Sequence, residues 1–338
     1  MFSGKTVRLS AENGIPQAAE ILRAGGTVAF PTETVYGLGA NAFDATAVAK
    51  IFEAKDRPGW DPVIVHVRDR EMLERVAEVT GGLAAKVEAL MAAFWPGPLT
   101  LLLPRTAAVP DSVTAGRLLV GVRMPAHSVA LELIRTAGVP VAAPSANRFG
   151  RTSPTTAAHV LEDLDGRIDA VLDGGATTVG VESTVLDVGE MLIYRPGAVT
   201  AEMISAVAGA ARVFAGGALE AVAPESLPSP GVGLRHYAPR ARLVLVESEA
   251  EMRETVVDLT DSGERVGVML PDGWDPGLEG REFRWAPWGN REALARRLFA
   301  GLRELDEAGV SVIVCPVPEA GGLGDALRDR LRKAARVK

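Results

Sequence analysis

Short apolar runs rich in β-branched residues alternate with stretches of helical spacing along most of the chain. Pro16 to Arg23 has the spacing of an amphipathic helix. Thr27-Val28-Ala29-Phe30 follows as a strand, bounded by Gly25-Gly26 and ended by Pro31. Thr32, Glu33 and Thr34 place polar groups at that strand's end, and Gly37 and Gly39 let the backbone turn tightly or approach a ligand. Asp44 can cap the next helix, whose apolar positions are Val48, Ile51 and Phe52. That helix delivers Lys55 and Arg57 just before Pro58. Asp61 to Val67 predicts another strand, expected beside the first, with His66 on the face of Ile64.

Glu71 to Phe94 reads as two helices broken at Gly81-Gly82, then a turn over Trp95 to Thr100 and a strand over Leu101 to Leu103. Val120 to Pro125 is a further strand and Val129 to Ala137 a helix. Val139 to Ala143 is a strand that runs into Pro144-Ser145-Ala146-Asn147. Ser153-Pro154 opens a helix through Leu164, with Ser153 as its expected cap. Ala170 to Asp173 is a strand. Val181 to Val188 and Leu192 to Arg195 look like a β-pair carrying Ser183 and Arg195, and Ala201 to Ala208 closes the region as a helix.

Between Arg212 and Arg240 the periodicity stops, and Gly216-Gly217, Pro224, Pro228, Pro230, Gly231, Gly233 and Pro239 punctuate the chain. This is a linker signature, and it contains Arg235-His236-Tyr237. It reads either as a plain spacer or as a segment that folds over a site. From Arg242 on, strands (Leu243–Val246, Arg265–Leu270, Phe283–Trp285, Val310–Cys315) alternate with helices (Ala250–Val257, Glu292–Ala308, Leu323–Arg336), as in a small parallel-sheet α/β domain. A loop with Pro271, Gly273 and Pro276 follows the second of these strands. The expected domains are therefore 1–211, a linker over 212–240, and 241–338.

Composition narrows the function classes. The 338 residues suffice for two domains, and 47% apolar with 23% charged residues is an ordinary globular balance. The net charge of −7 removes a global basic field for nucleic acid but leaves room for a local basic pocket. With Cys315 as the single cysteine, neither an internal disulfide nor a cysteine zinc site is possible, and a buried structural thiol is expected. No stretch is long enough to span a bilayer and the start has no signal-like pattern, so a soluble cytoplasmic protein is expected.

The chemistry-bearing residues each allow two readings. Lys55 and Arg57 suit a phosphate, or lie on a solvated helix end. His66 is a packed core histidine or a site residue. Arg123, at the end of a buried strand, needs an internal acid or an anionic ligand. Ser145 and Asn147 hold a ligand or cap a turn. Gly321-Gly322-Leu323-Gly324 resembles a phosphate loop or is only a helix start. The chain has no Gly-x-x-x-x-Gly-Lys-Ser/Thr loop and no useful dinucleotide fingerprint.

Taken in order, the motifs resemble the YrdC-like L-threonylcarbamoyladenylate synthases in their two-domain form. The resemblance rests on Pro31-Thr32-Glu33-Thr34-Val35-Tyr36-Gly37-Leu38, Lys55-x-Arg57-Pro58, Trp95-Pro96-Gly97-Pro98-Leu99-Thr100, Val122-Arg123-Met124-Pro125 and Pro144-Ser145-Ala146-Asn147. It continues through Gly180-Val181-Glu182-Ser183-Thr184, Arg195-Pro196-Gly197, Ser229-Pro230-Gly231 and Arg235-His236-Tyr237-Ala238-Pro239. It implies an α/β fold: an open twisted mixed-sheet catalytic domain with a basic concave cavity, plus a smaller Rossmann-like C-terminal domain.

The family condenses L-threonine, bicarbonate and ATP, with Mg2+, to threonylcarbamoyl-AMP and pyrophosphate. A downstream tRNA threonylcarbamoyl transferase complex uses the product to modify adenosine beside the anticodon. By this resemblance Lys55, Arg57 and His66 would be catalytic. Thr32, His66, Arg123, Ala143 and Ser183 would hold L-threonine. Lys55, Arg57, Asp61, Leu119, Ser145, Asn147, Ser153, Arg195 and Tyr237 would contact ATP, Tyr237 as part of a lid from the linker. No metal held by fixed protein ligands, no membrane and no stable nucleic-acid binding are expected. Two positions depart from the family pattern: Asp61 stands where Asn is usual, and Val232-Gly233-Leu234 replaces bulkier, more basic residues. A hydrogenase-maturation-type carbamoyltransferase is a rival, discounted because the cysteines of its zinc fingers are missing. A non-enzymatic RNA-binding factor is a second rival, marked by salt-sensitive RNA affinity without ATP turnover.

Overall fold

The computed structural model describes residues 4–214, 236–275 and 281–336. The chain divides into two compact units. The first holds the described residues of Met1–Phe149, Pro154–Thr178 and Glu182–Gly233, the second those of Gly150–Ser153, Val179–Val181 and Leu234–Lys338. Most of the expected linker, with Arg235 and the Ser229-Pro230-Gly231 and Val232-Gly233-Leu234 stretches, lies outside the described residues, as does Pro276.

In the first unit the elements are β1 (Val7–Ser10), α1 (Ile15–Arg23), β2 (Val28–Phe30), β3 (Gly37–Asn41), α2 (Ala45–Lys55), β4 (Ile64–His66), α3 (Arg70–Val76), α4 (Ala84–Phe94), β5 (Leu99–Pro104) and α5 (Asp111–Thr114). They continue with β6 (Leu119–Arg123), α6 (Ser128–Ala137), β7 (Val141–Ala142), α7 (Ala157–Leu164), β8 (Ala170–Asp173), β9 (Thr184–Asp187), β10 (Leu192–Arg195), α8 (Ala201–Ala208) and β11 (Arg212–Val213). One mixed sheet runs β1-β8-β2-β3-β7-β4-β6-β5-β9-β10-β11. Its fully buried residues include Leu22, Phe30, Leu38, Ile51, Leu133 and Ile134, contributed by strands and by the helices that cover them.

Local chemistry explains the helix starts. Asp44 accepts from the amides of Thr46 and Ala47, as its position predicted. Asp69 caps α3 through the amide of Met72. The expected cap at Ser153 is corrected: α7 begins at Ala157, and Thr156 accepts from the amide of His159. Pro154 does not open the helix because its carbonyl is held at 2.9 Å by the amide of Tyr36, which keeps the chain extended there.

Two further expectations are corrected. Gly37 and Gly39 lie within strand β3, which pairs antiparallel with β2. A Cβ on Gly39 would come within 2.6 Å of Val141 Cγ1 and 2.7 Å of Phe30 Cε1, so glycine is required here by close packing. Strand β4 is not beside β2, because β3 and β7 intervene and β4 pairs with β6 and β7. Strands β9 and β10 pair, as expected from the sequence, and they run antiparallel.

In the second unit β12 (Arg242–Val246), α9 (Glu249–Asp261), β13 (Val266–Asp272), β14 (Arg281–Pro287), α10 (Arg291–Glu307), β15 (Val312–Pro316) and α11 (Leu323–Ala335) form a sheet of order β12-β15-β13-β14. All its pairings are parallel, as the alternating pattern predicted. Cys315 is fully buried in β15, and burial raises its thiol pKa well above the usual value. The Gly321-Gly322 turn starts α11, with Asp325 accepting from the amide of Gly321. Among the described residues no helix is long and apolar enough to cross a membrane.

Candidate active site

Helix α2 ends where the chemistry begins. Asp56 adopts a left-handed conformation (φ 52°) that closes the helix. Its neighbours are thereby split: Asp56 faces outward to Arg148 and Arg167, while Lys55 and Arg57 are buried. Lys55 is 1% exposed, and its Nζ donates to the carbonyl of Ser145 at 2.5 Å and to that of Asn147. Two neutral acceptors do not replace the hydration of an ammonium. Burial first, and the charge of Arg57 second, push the Lys55 pKa well below its usual value. Arg57 donates from Nε to the Asp61 carbonyl at 3.2 Å and from Nη2 to the Pro62 carbonyl at 2.7 Å, beside the face of Phe149.

Asp61 is the acid of this corner. Its Oδ2 lies 2.9 Å from Arg57 Nη2 in a fully buried ion pair. Burial raises its pKa, opposed in turn by Arg57, Lys55 and Arg195. Lys55, Arg57 and Arg195 thus gather around Asp61, whose Oδ1 has no hydrogen-bond partner among the described residues, and Asp163 is a second carboxylate that acts on Lys55.

A second corner forms at the ends of β4 and β6, where His66 and Arg123 are register partners. Arg123 is buried and donates to the Gly97 carbonyl and to Thr34 Oγ1, and its Nη2 lies 2.6 Å from Glu33 Oε1. The arginine's need for a partner is therefore met by an internal acid, the first of the two possibilities the sequence left open. The turn between β2 and β3 that presents Glu33 is fixed by Thr32, whose hydroxyl bonds to Thr34 Oγ1 and to the Val35 carbonyl. His66 packs edge-on to Phe30, and its pKa is lowered to about 3 by burial first and by Arg123 second. It is a neutral imidazole at any ordinary pH.

The third corner is Ser183, just before β9. Its hydroxyl lies 2.8 Å from Thr100 Oγ1 and accepts from Arg195 Nη2 at 3.1 Å, while Arg195 Nε holds the Ser183 carbonyl. Ala143 is buried, and its amide is taken by the Ile64 carbonyl. Ser145 is half-buried and bridges to Gly37, and Asn147 is buried and donates to the Arg148 carbonyl. Leu119 packs on the small cluster of Ile64, Leu102 and Val185.

In the second unit Ser153 is fully buried. Tyr237 is also buried, with φ 65°; its ring stacks on Phe299, meets His236 edge-on and lies under the guanidinium of Arg330. Glu33 and Thr34, expected only as polar groups at the end of β2, and Thr100, in the Trp95–Thr100 motif, join the site beyond the residues the sequence assigned to it. The signal for Glu33 was available: a buried arginine such as Arg123 needs a counter-charge. Among the described residues no group of three or more His, Cys, Asp or Glu side chains could hold a metal ion.

With this geometry in hand, comparison with known proteins is informative. The Sua5/YciO/YrdC family model, described as "Telomere recombination", matches residues 20–197, and the model "Threonylcarbamoyl-AMP synthase, C-terminal domain" matches residues 199–336. The chain is 43% identical over 325 residues to the threonylcarbamoyl-AMP synthase of Pyrococcus abyssi, covering 94% of this chain and 93% of the relative. It is 44% identical over 328 residues to that of Bacillus subtilis, covering 95% and 92%. Among solved structures it is similar to P. abyssi Sua5 complexed with L-threonine, with a TM-score of 0.90, 42% identity, and coverage of 98% of this chain and 97% of that one.

Proposed function

The chain belongs to the Sua5/YrdC family of threonylcarbamoyl-AMP synthases, enzymes of nucleotidyltransferase type, and we propose that it condenses L-threonine, bicarbonate and ATP to threonylcarbamoyl-AMP and pyrophosphate. The observation that carries this reading is the set of three buried basic side chains, Lys55, Arg57 and Arg195, gathered around the Asp61 carboxylate. Two buried guanidinium groups beside an amine suit a polyanion such as a triphosphate, whose charge would favour the protonated form of Lys55. The L-threonine bound to the P. abyssi relative supports the same amino acid as substrate here.

The chemistry asks little of a nucleophilic side chain. The threonine amine attacks the bicarbonate carbon, a hydroxyl leaves as water, and a carbamate results. A carbamate oxygen then attacks the α-phosphorus of ATP and pyrophosphate departs. Positioning and charge neutralisation supply the acceleration. Lys55, Arg57 and Arg195 would neutralise the phosphates, and Arg123 with Ser183 would orient threonine. His66, neutral and buried, would act through hydrogen bonding and shape.

Asp61 Oδ1 is a lone hard oxygen, so the residues fit a magnesium ion that arrives on the nucleotide rather than one resident in the protein. Magnesium would supply charge neutralisation on the leaving phosphates. The assignment of Ser153 and Tyr237 to the nucleotide rests on the resemblance, as does a cytoplasmic place ahead of a tRNA-modifying transferase.

The test is pyrophosphate release from ATP with magnesium, with threonine and bicarbonate omitted in turn, and mass spectrometry for threonylcarbamoyl-AMP. Release that needs all three substrates is expected, together with its loss in Arg123→Ala. No release in any buffer, with RNA retained on the protein, would overturn the enzyme reading in favour of an RNA-binding factor.

A further inference from the structure

We propose that Glu33 is a substrate-binding residue that receives the α-ammonium of L-threonine, so that the buried Glu33–Arg123 pair forms a template for an amino-acid zwitterion. This deepens the reading of the site as a threonine site and rests on it.

The argument starts from unfilled hydrogen-bonding capacity. Glu33 is 6% exposed and Arg123 4%. Their charged ends lie 2.6 Å apart, yet the contact is not directed along an N–H. Neither carboxylate oxygen of Glu33, nor Nη2 of Arg123, has a hydrogen-bond partner among the described residues. His66 Nδ1, on the strand next to Arg123, is in the same state. A buried ion pair normally recovers its desolvation cost through directed hydrogen bonds on the remaining lone pairs and protons. Arg123 Nε and Nη1 are satisfied by Gly97 and Thr34, so the shortfall is confined to the one edge that faces Glu33.

The chemistry of that edge selects a ligand. It offers an acceptor-only carboxylate beside a donor-only guanidinium nitrogen. A molecule that satisfies both must carry donors and acceptors side by side with opposite charge, as an α-amino acid does. Its carboxylate takes Arg123 and its ammonium takes Glu33. The turn that holds Glu33 is rigid: Thr32 ties it internally, and the Glu33 carbonyl accepts from the amide of Thr178 at 3.1 Å. The carboxylate is therefore held in place before the substrate arrives.

The placement also gives direction to the reaction. The ammonium first releases one proton to solvent, and the free amine then attacks bicarbonate, whose hydroxyl leaves as water with the amine's second proton; the cation that Glu33 attracts is gone and a carbamate anion stands in its place. Repulsion from Glu33 then favours movement of the new carboxylate toward the cations that hold the phosphates.

The experiment is isothermal titration of the full chain with L-threonine and with its α-hydroxy analogue, which keeps the carboxylate and side chain but lacks the ammonium. The unaltered protein should bind L-threonine at least about tenfold more tightly than the analogue, because a buried charge-assisted hydrogen bond is lost. Glu33→Gln should weaken L-threonine by a similar factor and leave the analogue nearly unchanged, with ATP affinity retained as the check on folding. Equal weakening of both ligands, or of neither, would overturn the proposal, since it would make Glu33 only a support for Arg123. So would equal binding of the two ligands by the unaltered protein, a result that needs no variant. Failure of the unaltered protein to bind L-threonine at all would instead remove the threonine reading on which the proposal stands.

Discussion

Asp61→Asn removes the buried carboxylate of the corner proposed to hold the nucleotide's phosphates. Asp61 lies 2.9 Å from Arg57 Nη2, and both side chains are almost fully buried. A phosphate bound to the same guanidinium would sit about 5 Å from the carboxylate. At an effective dielectric near 20, two unit charges at that distance repel by about 3 kcal/mol. Loss of the Asp61–Arg57 attraction does not enter ATP binding directly, and solvent and ionic screening reduce the repulsion removed to about 1–2 kcal/mol. Asn removes the charge at constant size. It also leaves Arg57 in place, because the arginine is held by the backbone carbonyls of Asp61 and Pro62. ATP affinity, measured by titration without threonine, should therefore rise about tenfold in the variant.

The pH dependence of stability offers an independent reading of the same residue. Burial raises the folded-state pKa of Asp61 above its ordinary 3.8, so its contribution is fully present below 3.8 and is lost as pH rises through the higher folded value. The stability of Asp61→Asn relative to the unaltered protein should thus be greatest near neutrality and shrink toward acid. Unchanged or weaker ATP binding would refute the electrostatic argument, and weakening seen only with magnesium present would make Asp61 a metal ligand instead.

Three other outcomes follow from the structure. The His66 pKa of about 3, against an ordinary 6.5, means that the unfolded chain takes up a proton first as pH falls. His66 contributes stability fully above 6.5 and loses it progressively toward 3; urea titrations should show His66→Gln relieved of about 2 kcal/mol of acid destabilisation between pH 6.5 and pH 5. Gly39→Ala forces a methyl against Val141 and Phe30, so it should destabilise by about 1–3 kcal/mol in thermal or urea unfolding. Cys315, buried with its thiol pKa raised, should resist a thiol reagent in the native protein and react fully once the chain is unfolded in urea.

How far the site was legible in the sequence depends on whether each feature is set locally. The Asp44 cap and the approach of α2 to Lys55 follow from adjacent residues, and the structure has them where the pattern predicted. So does the β9–β10 pair with Ser183 and Arg195, whose strands lie only a short turn apart. Strand β3 was illegible because its residues, Gly37-Leu38-Gly39-Ala40-Asn41, carry no strand propensity of their own. It exists because Phe30 and Val141 need close neighbours on either side. The cap of α7 was misread for a similar reason. Ser153 and Thr156 are both good caps, and the choice fell to a hydrogen bond from Tyr36 more than a hundred residues away in the chain.

The same distinction explains why the charges could be named from sequence but not paired. Burial of Lys55, Arg57, Arg123 and Arg195 was to be expected from strand and helix ends flanked by proline and apolar residues. Arg57 finds its partners locally, in Asp61 and Pro62, but the others do not: two carbonyls ninety or more residues on serve Lys55, the Ser183 hydroxyl and carbonyl serve Arg195, and Glu33 serves Arg123. The hydrogen bonds of Lys55 to two carbonyls and of Arg195 to Ser183 are to neutral acceptors, which hold a charged donor less strongly than anionic oxygens do. Arg57 and Arg123 are each matched with a full charge, Asp61 and Glu33, and both carboxylate oxygens of Glu33 are left short of hydrogen bonds among the described residues. A site meant only for anions has no use for Glu33, whereas a site that must seat a zwitterion beside a polyanion needs one carboxylate kept apart from the phosphate corner.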